Sequence, residues 1–343
     1  MNSPKRILFS GNDPGGANAI LPVVEALVQG GYVCEGMITG PAWEIFTRHK
    51  ITCRNAEGIS DAELFAAVDT FAPDLFLAGT SGSLTADKKI LLHFAGRIPS
   101  VYVLDFWNNY WQRFSGAEKD LKYLPTAVCV MDELAEKEML AEGIPASAVR
   151  VTGNPHFEHF SRNISRADEN EHTILFISQP ISDASGMRGA VQYGFDEFKV
   201  LKSIIAALSA SLRLSIRLHP REDSHKYDAF LNERVRISTE PTLEKALSRA
   251  GLVVGMFSPV LIQAAIAGKN VLSYQPGFAD VDPLPTNKLG ITKRAVNKTE
   301  LTEFLASYER GENPGIAHGV KDFFAKGATG RVCDVIMQLL EKK

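Results

Sequence analysis

Arg6-Ile-Leu-Phe-Ser10 followed by Gly11-Asn-Asp-Pro-Gly-Gly-Ala-Asn18 places an apolar strand ahead of a glycine-rich turn that opens a helix over Ala17–Gln29. The same unit recurs along the first half. Short runs rich in β-branched and aromatic residues predict further strands at Tyr32–Thr39, Leu75–Ala78, Val101–Leu104, Ala127–Met131 and Val149–Thr152. Between them, Ala42–His49, Asp61–Phe71, Thr85–Ala95 and Glu133–Glu142 carry apolar residues near helical spacing. Near-continuous apolar strands alternating with helices predict a parallel sheet covered on both faces.

The pattern breaks at the polar, aperiodic stretch Asn163–His172, which reads as a linker, and then restarts. Strands are predicted at Thr173–Ser178, Leu214–Leu218, Leu252–Met256 and Asn270–Tyr274. Helices are predicted at Glu197–Ser209, Thr242–Ala250 and Pro259–Ala267, and the tail Gly330–Glu341 is a further amphipathic helix. The expected fold class is therefore α/β, with two doubly wound, Rossmann-like parallel-sheet domains facing across a cleft. Its plan is an N-terminal domain over 1–160, a linker over 161–172, a C-terminal domain over 173–326 and a helix over 327–343 returning to the first domain.

The chain's 343 residues suit two domains rather than one core. A hydrophobic share of 45% and a charged share of 22% are those of a globular protein, and a formal charge of −3 gives no general pull toward nucleic acid. Any anion site must be local. Cys34, Cys53, Cys129 and Cys333 are far apart with no CxxC spacing, so reduced core thiols are expected. The N-terminus shows neither the apolar run nor the cleavage site of a signal peptide, and no apolar stretch is long enough to cross a bilayer. The expected location is cytoplasmic.

In open parallel sheets ligands bind beyond the carboxyl ends of the strands, so the loops after strands carry the search. In Gly11–Asn18, Gly15 and Gly16 let backbone N–H groups approach an anion at a helix N-terminus, while the spacing fits neither GxGxxG nor a Walker loop. Asp13 could take a proton from a hydroxyl, or simply cap the loop. Asp105-Phe-Trp-Asn-Asn-Tyr-Trp-Gln-Arg-Phe114 mixes aromatics with amides and charges, which suits a sugar contacted by Trp107 and Asn108, or else core packing. Its polar participant is Asp105.

Arg217-Leu-His-Pro-Arg-Glu222 concentrates charge at a strand end. Arg217 and Arg221 match phosphate oxygens, and His219 can donate to a departing phosphate. The rival reading is a surface turn salt-bridged to Glu222 and Asp223. Gly255-Met-Phe-Ser-Pro-Val260 puts Ser258 and Pro259 at a helix start, a cap that also offers free N–H groups to a phosphate. Ser178 and Gln179 follow another strand. Asp280-Val-Asp282 has the form of a metal-binding D-x-D, but its late position favours hydrogen bonds to sugar hydroxyls or plain solvation, and no cluster has metal-ligand spacing.

These residues resemble the GT-B glycosyltransferase superfamily, over nearly the whole chain as a domain plan but through short motifs. Leu218-His-Pro-Arg-Glu222 resembles the His-Pro motif of bacterial sialyl- and polysialyltransferases and of glycerophosphate transferases that use CDP-activated donors. The segment Ser258–Lys269 is similar to their serine-rich turn and helix, with Gln263 where those families usually carry Glu. Gly153-Asn-Pro155 resembles the interdomain crossover of that superfamily and of UDP-N-acetylglucosamine 2-epimerases, and the terminal helix resembles the GT-B tail.

The resemblance implies an inverting, metal-independent transfer from a nucleotide-activated sugar to a glycan or lipid-linked acceptor, with no cofactor. His219 would neutralise the leaving phosphate, Ser258 would bind it, and Asp13 or Asp105 would be the base. The alternatives are a nucleotide-sugar epimerase or hydrolase, which needs no acceptor, and a non-catalytic nucleotide-sugar binding protein. Peripheral membrane association and a homodimer stay open.

Overall fold

The computed structural model describes residues 3–82, 84–163, 170–182, 193–315 and 326–342. The chain divides into two units, residues 1–159 with 324–343 and residues 160–323.

The first unit holds seven strands: β1 Arg6–Gly11, β2 Val33–Ile38, β3 Cys53–Asn55, β4 Leu75–Gly79, β5 Ser100–Val103, β6 Ala127–Val130 and β7 Val149–Val151. They form one parallel sheet in the order β3-β2-β1-β4-β5-β6-β7. The connections carry helices α1 Pro14–Gln29, α2 Ala42–Arg48, α3 Asp61–Phe71, α4 Ala86–His93, α5 Tyr110–Arg113 and α6 Glu133–Ala141, and α7 Pro155–Asn163 follows the last strand. Ser60 and Glu63 close a reciprocal capping box on α3, and the Asp132 carboxylate caps α6 through Ala135 N.

Helix α1 lies backbone-to-backbone on β4. A Cβ on Gly16 would stand 2.5 Å from the Thr80 carbonyl oxygen, and one on Gly79 would collide with the Gly16 carbonyl. Glycine at both positions is what lets the helix start this close to the sheet.

The second unit repeats the plan with six strands: β8 Asn170–Ile177, β9 Arg213–Arg217, β10 Val235–Ile237, β11 Ala250–Gly255, β12 Asn270–Tyr274 and β13 Lys293–Ala295. Their order is β10-β9-β8-β11-β12-β13, again parallel throughout. Among the described residues it also holds helices α8 Glu197–Ala207, α9 Leu243–Arg249, α10 Pro259–Ile266, α11 Pro285–Lys288 and α12 Lys298–Glu309. One sheet face is apolar: Ile174, Phe176, Leu214, Ile216, Leu252 and Val254 pack in a single core.

The last helix, α13 Ala328–Glu341, belongs to the first unit, where Val332, Ile336 and Leu340 join the core containing Ile20, Val24 and Leu27 of α1. Glu158 fixes its start. The buried carboxylate accepts from Gly327 N at 3.0 Å and from Thr329 N at 2.9 Å, and Arg331 Nε returns a bond to the Thr152 carbonyl at 2.8 Å.

Both sheets therefore have the doubly wound order expected of the strand–helix alternation. Three strands escaped that reading. Each of β3, β10 and β13 has three residues, carries Arg, Asn or Lys, and lies at a sheet edge where no apolar run is needed. The expected linker over 161–172 is shorter on both sides, because α7 runs to Asn163 and β8 starts at Asn170; its middle, 164–169, lies outside the described residues. The cysteines are free. Burial pushes the Cys34 and Cys129 thiols up to about 12 and that of Cys333 to about 11, so they stay protonated.

Candidate functional site

In the first unit the strand order reverses between β1 and β4, and the loops beyond their carboxyl ends bring the expected acids together around the head of α1. Asp13 occupies the N-cap position but makes no side-chain cap bond. Its carboxylate instead accepts from Gly82 N at 3.2 Å and from Asn12 Nδ2 at 2.8 Å. Asp105 follows β5, and its Oδ1 accepts from Thr80 Oγ1 at 2.8 Å and from Arg113 Nη1 at 2.6 Å. Gly15 packs against the other oxygen so closely that a methyl group there would collide with Asp105 Oδ2.

Arg113, Thr80 and Lys88 were not singled out in the sequence. Arg113 is the centre of the cluster: it also donates to Thr80 Oγ1 at 3.0 Å, to the Asn108 carbonyl at 3.0 Å and to Asn108 Oδ1 at 3.2 Å. Lys88 is only 2% exposed. Its ammonium lies 5.5 Å from the Tyr123 ring centroid, and burial pushes its pKa down, with the Arg113 guanidinium adding to the effect. Beside it, Asp87 is fully buried among Ser81, Thr85 and Tyr102, and burial raises its pKa. The available signal was a charged pair, Asp87-Lys88, in the first turn of a helix directly after an apolar strand.

The aromatic run divides. Trp107 is 3% exposed, donates its indole N–H to Asp132 at 2.8 Å and stacks on Phe157, with ring centroids 5.9 Å apart. The expectation that Trp107 contacts a sugar is corrected: an indole with its N–H satisfied inside the fold is a packing residue. Asn108 is exposed, and its oxygen is engaged by Arg113.

In the second unit the order reverses between β8 and β11. Gln179 Oε1 accepts from Phe257 N at 3.0 Å and ties the two following loops together. Ser258 caps α10, accepting from Val260 N at 3.3 Å with Pro259 at the first helical position, and Gln263 lies half-buried one turn further on. Ser178 faces inward instead, donating to Glu222 Oε1 at 2.7 Å and meeting the Tyr227 hydroxyl.

The turn carrying His219 is built from that inner network. Glu222 accepts from His219 N at 2.7 Å and from Lys226 Nζ at 3.1 Å, and Lys226 pairs with Glu197 at 2.5 Å. The acid of the turn is thus committed to Ser178 and Lys226. Among the described residues neither Arg217 nor Arg221 has a carboxylate partner; Arg217 donates to the Glu240 carbonyl and Arg221 is exposed. His219 Nδ1 accepts from Arg221 N at 3.2 Å. Burial lowers its pKa, and Arg221 and Lys226 lower it further, against the opposing pull of Glu222. The ring is therefore neutral near pH 7 with its proton on Nε2, a donor on a basic turn.

Asp280 and Asp282 do not converge. Asp280 closes its own loop through Val281 N. Asp282 is held by Gln275 Nε2 at 3.0 Å, Leu284 N at 2.9 Å, Asn287 Nδ2 at 3.0 Å and Arg294 Nε at 3.2 Å, so its oxygens organise the loop rather than face a sugar. Among the described residues no three His, Cys, Asp or Glu side chains gather in a way that could hold a metal ion, and no helix is long and apolar enough to cross a membrane.

No protein-family model matches the chain, and no curated protein does. Solved structures do. A UDP-GlcNAc 2-epimerase from Methanocaldococcus jannaschii superposes with a TM-score of 0.70 at 14% identity, covering 97% of this chain and 99% of its own. A UDP-GlcNAc 2-epimerase from Neisseria meningitidis, solved bound to UDP-GlcNAc, gives 0.67 at 16% identity over 97% and 100%. The glycotransferase of kitacinnamycin gives 0.61 at 16% identity over 99% and 100%.

The fold is GT-B-like. Identities this low establish the architecture alone. They single out neither the sialyltransferases nor the glycerophosphate transferases.

Proposed function

We propose that this GT-B-like protein is a nucleotide-sugar enzyme of the epimerase or hydrolase type, acting on its substrate without an acceptor. The observation that carries the reading is the pair of carboxylates, Asp13 and Asp105, at the head of one helix. Asp13 is not spent on capping, and Asp105 is aimed by Arg113, Thr80 and Gly15. Two acid–base groups suit a reaction in which a proton leaves one face of the sugar carbon beside the anomeric centre as the anomeric C–O bond breaks, and one returns to the other face as that bond re-forms, whereas transfer to a hydroxyl needs a single base. In the hydrolytic variant, one carboxylate takes the proton of the water that attacks the anomeric carbon.

The nucleotide is assigned to the second unit. As the bond from anomeric carbon to phosphate oxygen breaks, charge grows on the diphosphate. The donors suited to it are His219 Nε2–H and the guanidinium of Arg221, which has no carboxylate partner among the described residues. Gln179 and Gln263 border the same strand ends as neutral amides suited to a ribose or base. The solved epimerases of the same fold support this direction.

The second reading is a glycosyltransferase, favoured by the resemblance of the His-Pro turn and by the fold shared with the kitacinnamycin enzyme. Incubation with UDP- and CDP-sugars alone separates the two. Sugar conversion or nucleotide release without an acceptor supports the proposal. Consumption only when a glycan acceptor is added would overturn it in favour of transfer.

A further inference from the structure

The second unit has a feature that a nucleotide-sugar site does not use. Doubly wound sheets normally bury both faces. Here the face opposite the apolar core is polar along the two outermost strands at one edge. Arg213 and Ser215 of β9 alternate with core residues Leu214 and Ile216, and Arg236 stands directly across from Ser215 in the register. These residues line a cavity of about 520 Å³, with Ser238, Glu240 and helix α9 forming its far wall.

The charge in this cavity is unbalanced. Arg213, Arg234, Arg236 and Arg249 line it against Glu233 and Glu240. Arg249 pairs with Glu240 at 2.6 Å, and Arg234 donates to the Ser209 carbonyl at 2.7 Å. Arg213 and Arg236 are exposed and have no hydrogen-bond or ion-pair partner among the described residues. A second observation points the same way: the hydroxyl oxygen of Ser238, in the cavity wall, is buried without a hydrogen-bond partner. Unpaired guanidiniums offer two-pronged donation to phosphate oxygens, and a lone buried hydroxyl is an open polar position for one more. The volume is that of a small-ligand pocket.

We propose that this groove is a second anion site, binding a small molecule with three or more linked phosphate groups through Arg213, Arg236 and Ser238. It is separate from the turn that carries His219, and it does not depend on the assignment of the reaction. An apolar or cationic ligand would leave both guanidiniums unanswered.

The test is isothermal titration of the full chain with inorganic tripolyphosphate at low salt, for the wild type, Arg213→Ala/Arg236→Ala, and Arg213→Gln/Arg236→Gln. UDP is titrated into each in parallel. Both arginines are exposed and unpartnered, so the variants should melt with the wild type. The proposal expects each double variant to weaken tripolyphosphate at least ~10-fold while leaving UDP unchanged, and expects wild-type affinity to fall as salt rises. Wild-type affinity retained in both variants, no tripolyphosphate binding by the wild type, or equal loss of UDP binding would overturn it.

Discussion

The Arg113 guanidinium holds the Asp105 carboxylate at 2.6 Å while Gly15 closes on its other oxygen. The reactive-looking acid of the first unit is therefore aimed from two sides, by a planar fork and by the absence of a side chain. Gly15→Ala inserts a methyl group where Asp105 Oδ2 lies. The carboxylate must swing off Arg113 and Thr80, while the helix, exposed at this position, tolerates alanine. The expected outcome is a fall in kcat of ~10-fold or more, as for a misplaced acid–base group, with a lower melting temperature from the loss of the largely buried ion pair. Arg113→Lys keeps the charge but loses the fork, and should fall in the same direction.

His219 makes pH a second probe. Its pKa in the folded protein lies below the ordinary value because of burial and the neighbouring Arg221 and Lys226. The unfolded chain therefore takes up a proton first as pH falls through about 6.5, and the ligand-free protein loses stability in that window. A bound diphosphate favours the imidazolium and raises the pKa. Binding is then coupled to proton uptake, and affinity for UDP should rise as pH falls from 8 toward 6. UDP's own phosphate titrates in this range, so the readout is the difference between the wild type and His219→Gln across the same pH series. The wild type should show the steeper rise, and identical slopes would remove His219 from the phosphate site. His219→Ala should lower turnover by ~10²-fold.

The tail offers a prediction about stability alone. Glu158 is buried and satisfies Gly327 N and Thr329 N at the start of the last helix. Glu158→Ala leaves those donors without their charged acceptor and should cost about 2 kcal/mol, a drop of about 5 °C in the melting midpoint. Enzymatic parameters measured well below the midpoint should be unaffected. A loss of activity without a loss of stability would contradict this structural role.

The architecture was legible in the sequence because parallel strands buried on both faces must be nearly continuous apolar runs, as in Ile7–Phe9, Leu75–Ala78 and Leu252–Val254. Three of the four edge strands were not, because segments such as Cys53–Asn55 and Lys293–Ala295 satisfy their pairing with one neighbour and keep polar side chains. At the candidate site, the sequence drew attention to the loops beyond the strand ends but could not assign the partners within them. Asp13, Asp105 and His219 sit at strand ends, where loop chemistry was the signal. Trp107 and Ser178 also lie just beyond strands yet turn inward, a difference made by Asp132 and by Glu222 with Tyr227, which lie far along the chain. Arg113 was passed over because an arginine among aromatics has no spacing signature. Only the fold brings it onto Asp105 and Thr80.

The central claim is that the carboxylate pair moves a proton of the sugar, or of the water that attacks it, without an acceptor. The direct test is to incubate the protein with UDP-N-acetylglucosamine in D2O, with no acceptor present, and follow sugar and nucleotide by NMR and mass spectrometry. The account predicts one deuterium in an epimerised sugar, or free sugar and UDP, with the rate reduced ~10²-fold or more in Asp13→Asn/Asp105→Asn. An unlabelled, unconverted substrate alongside full turnover once a glycan acceptor is supplied would contradict it.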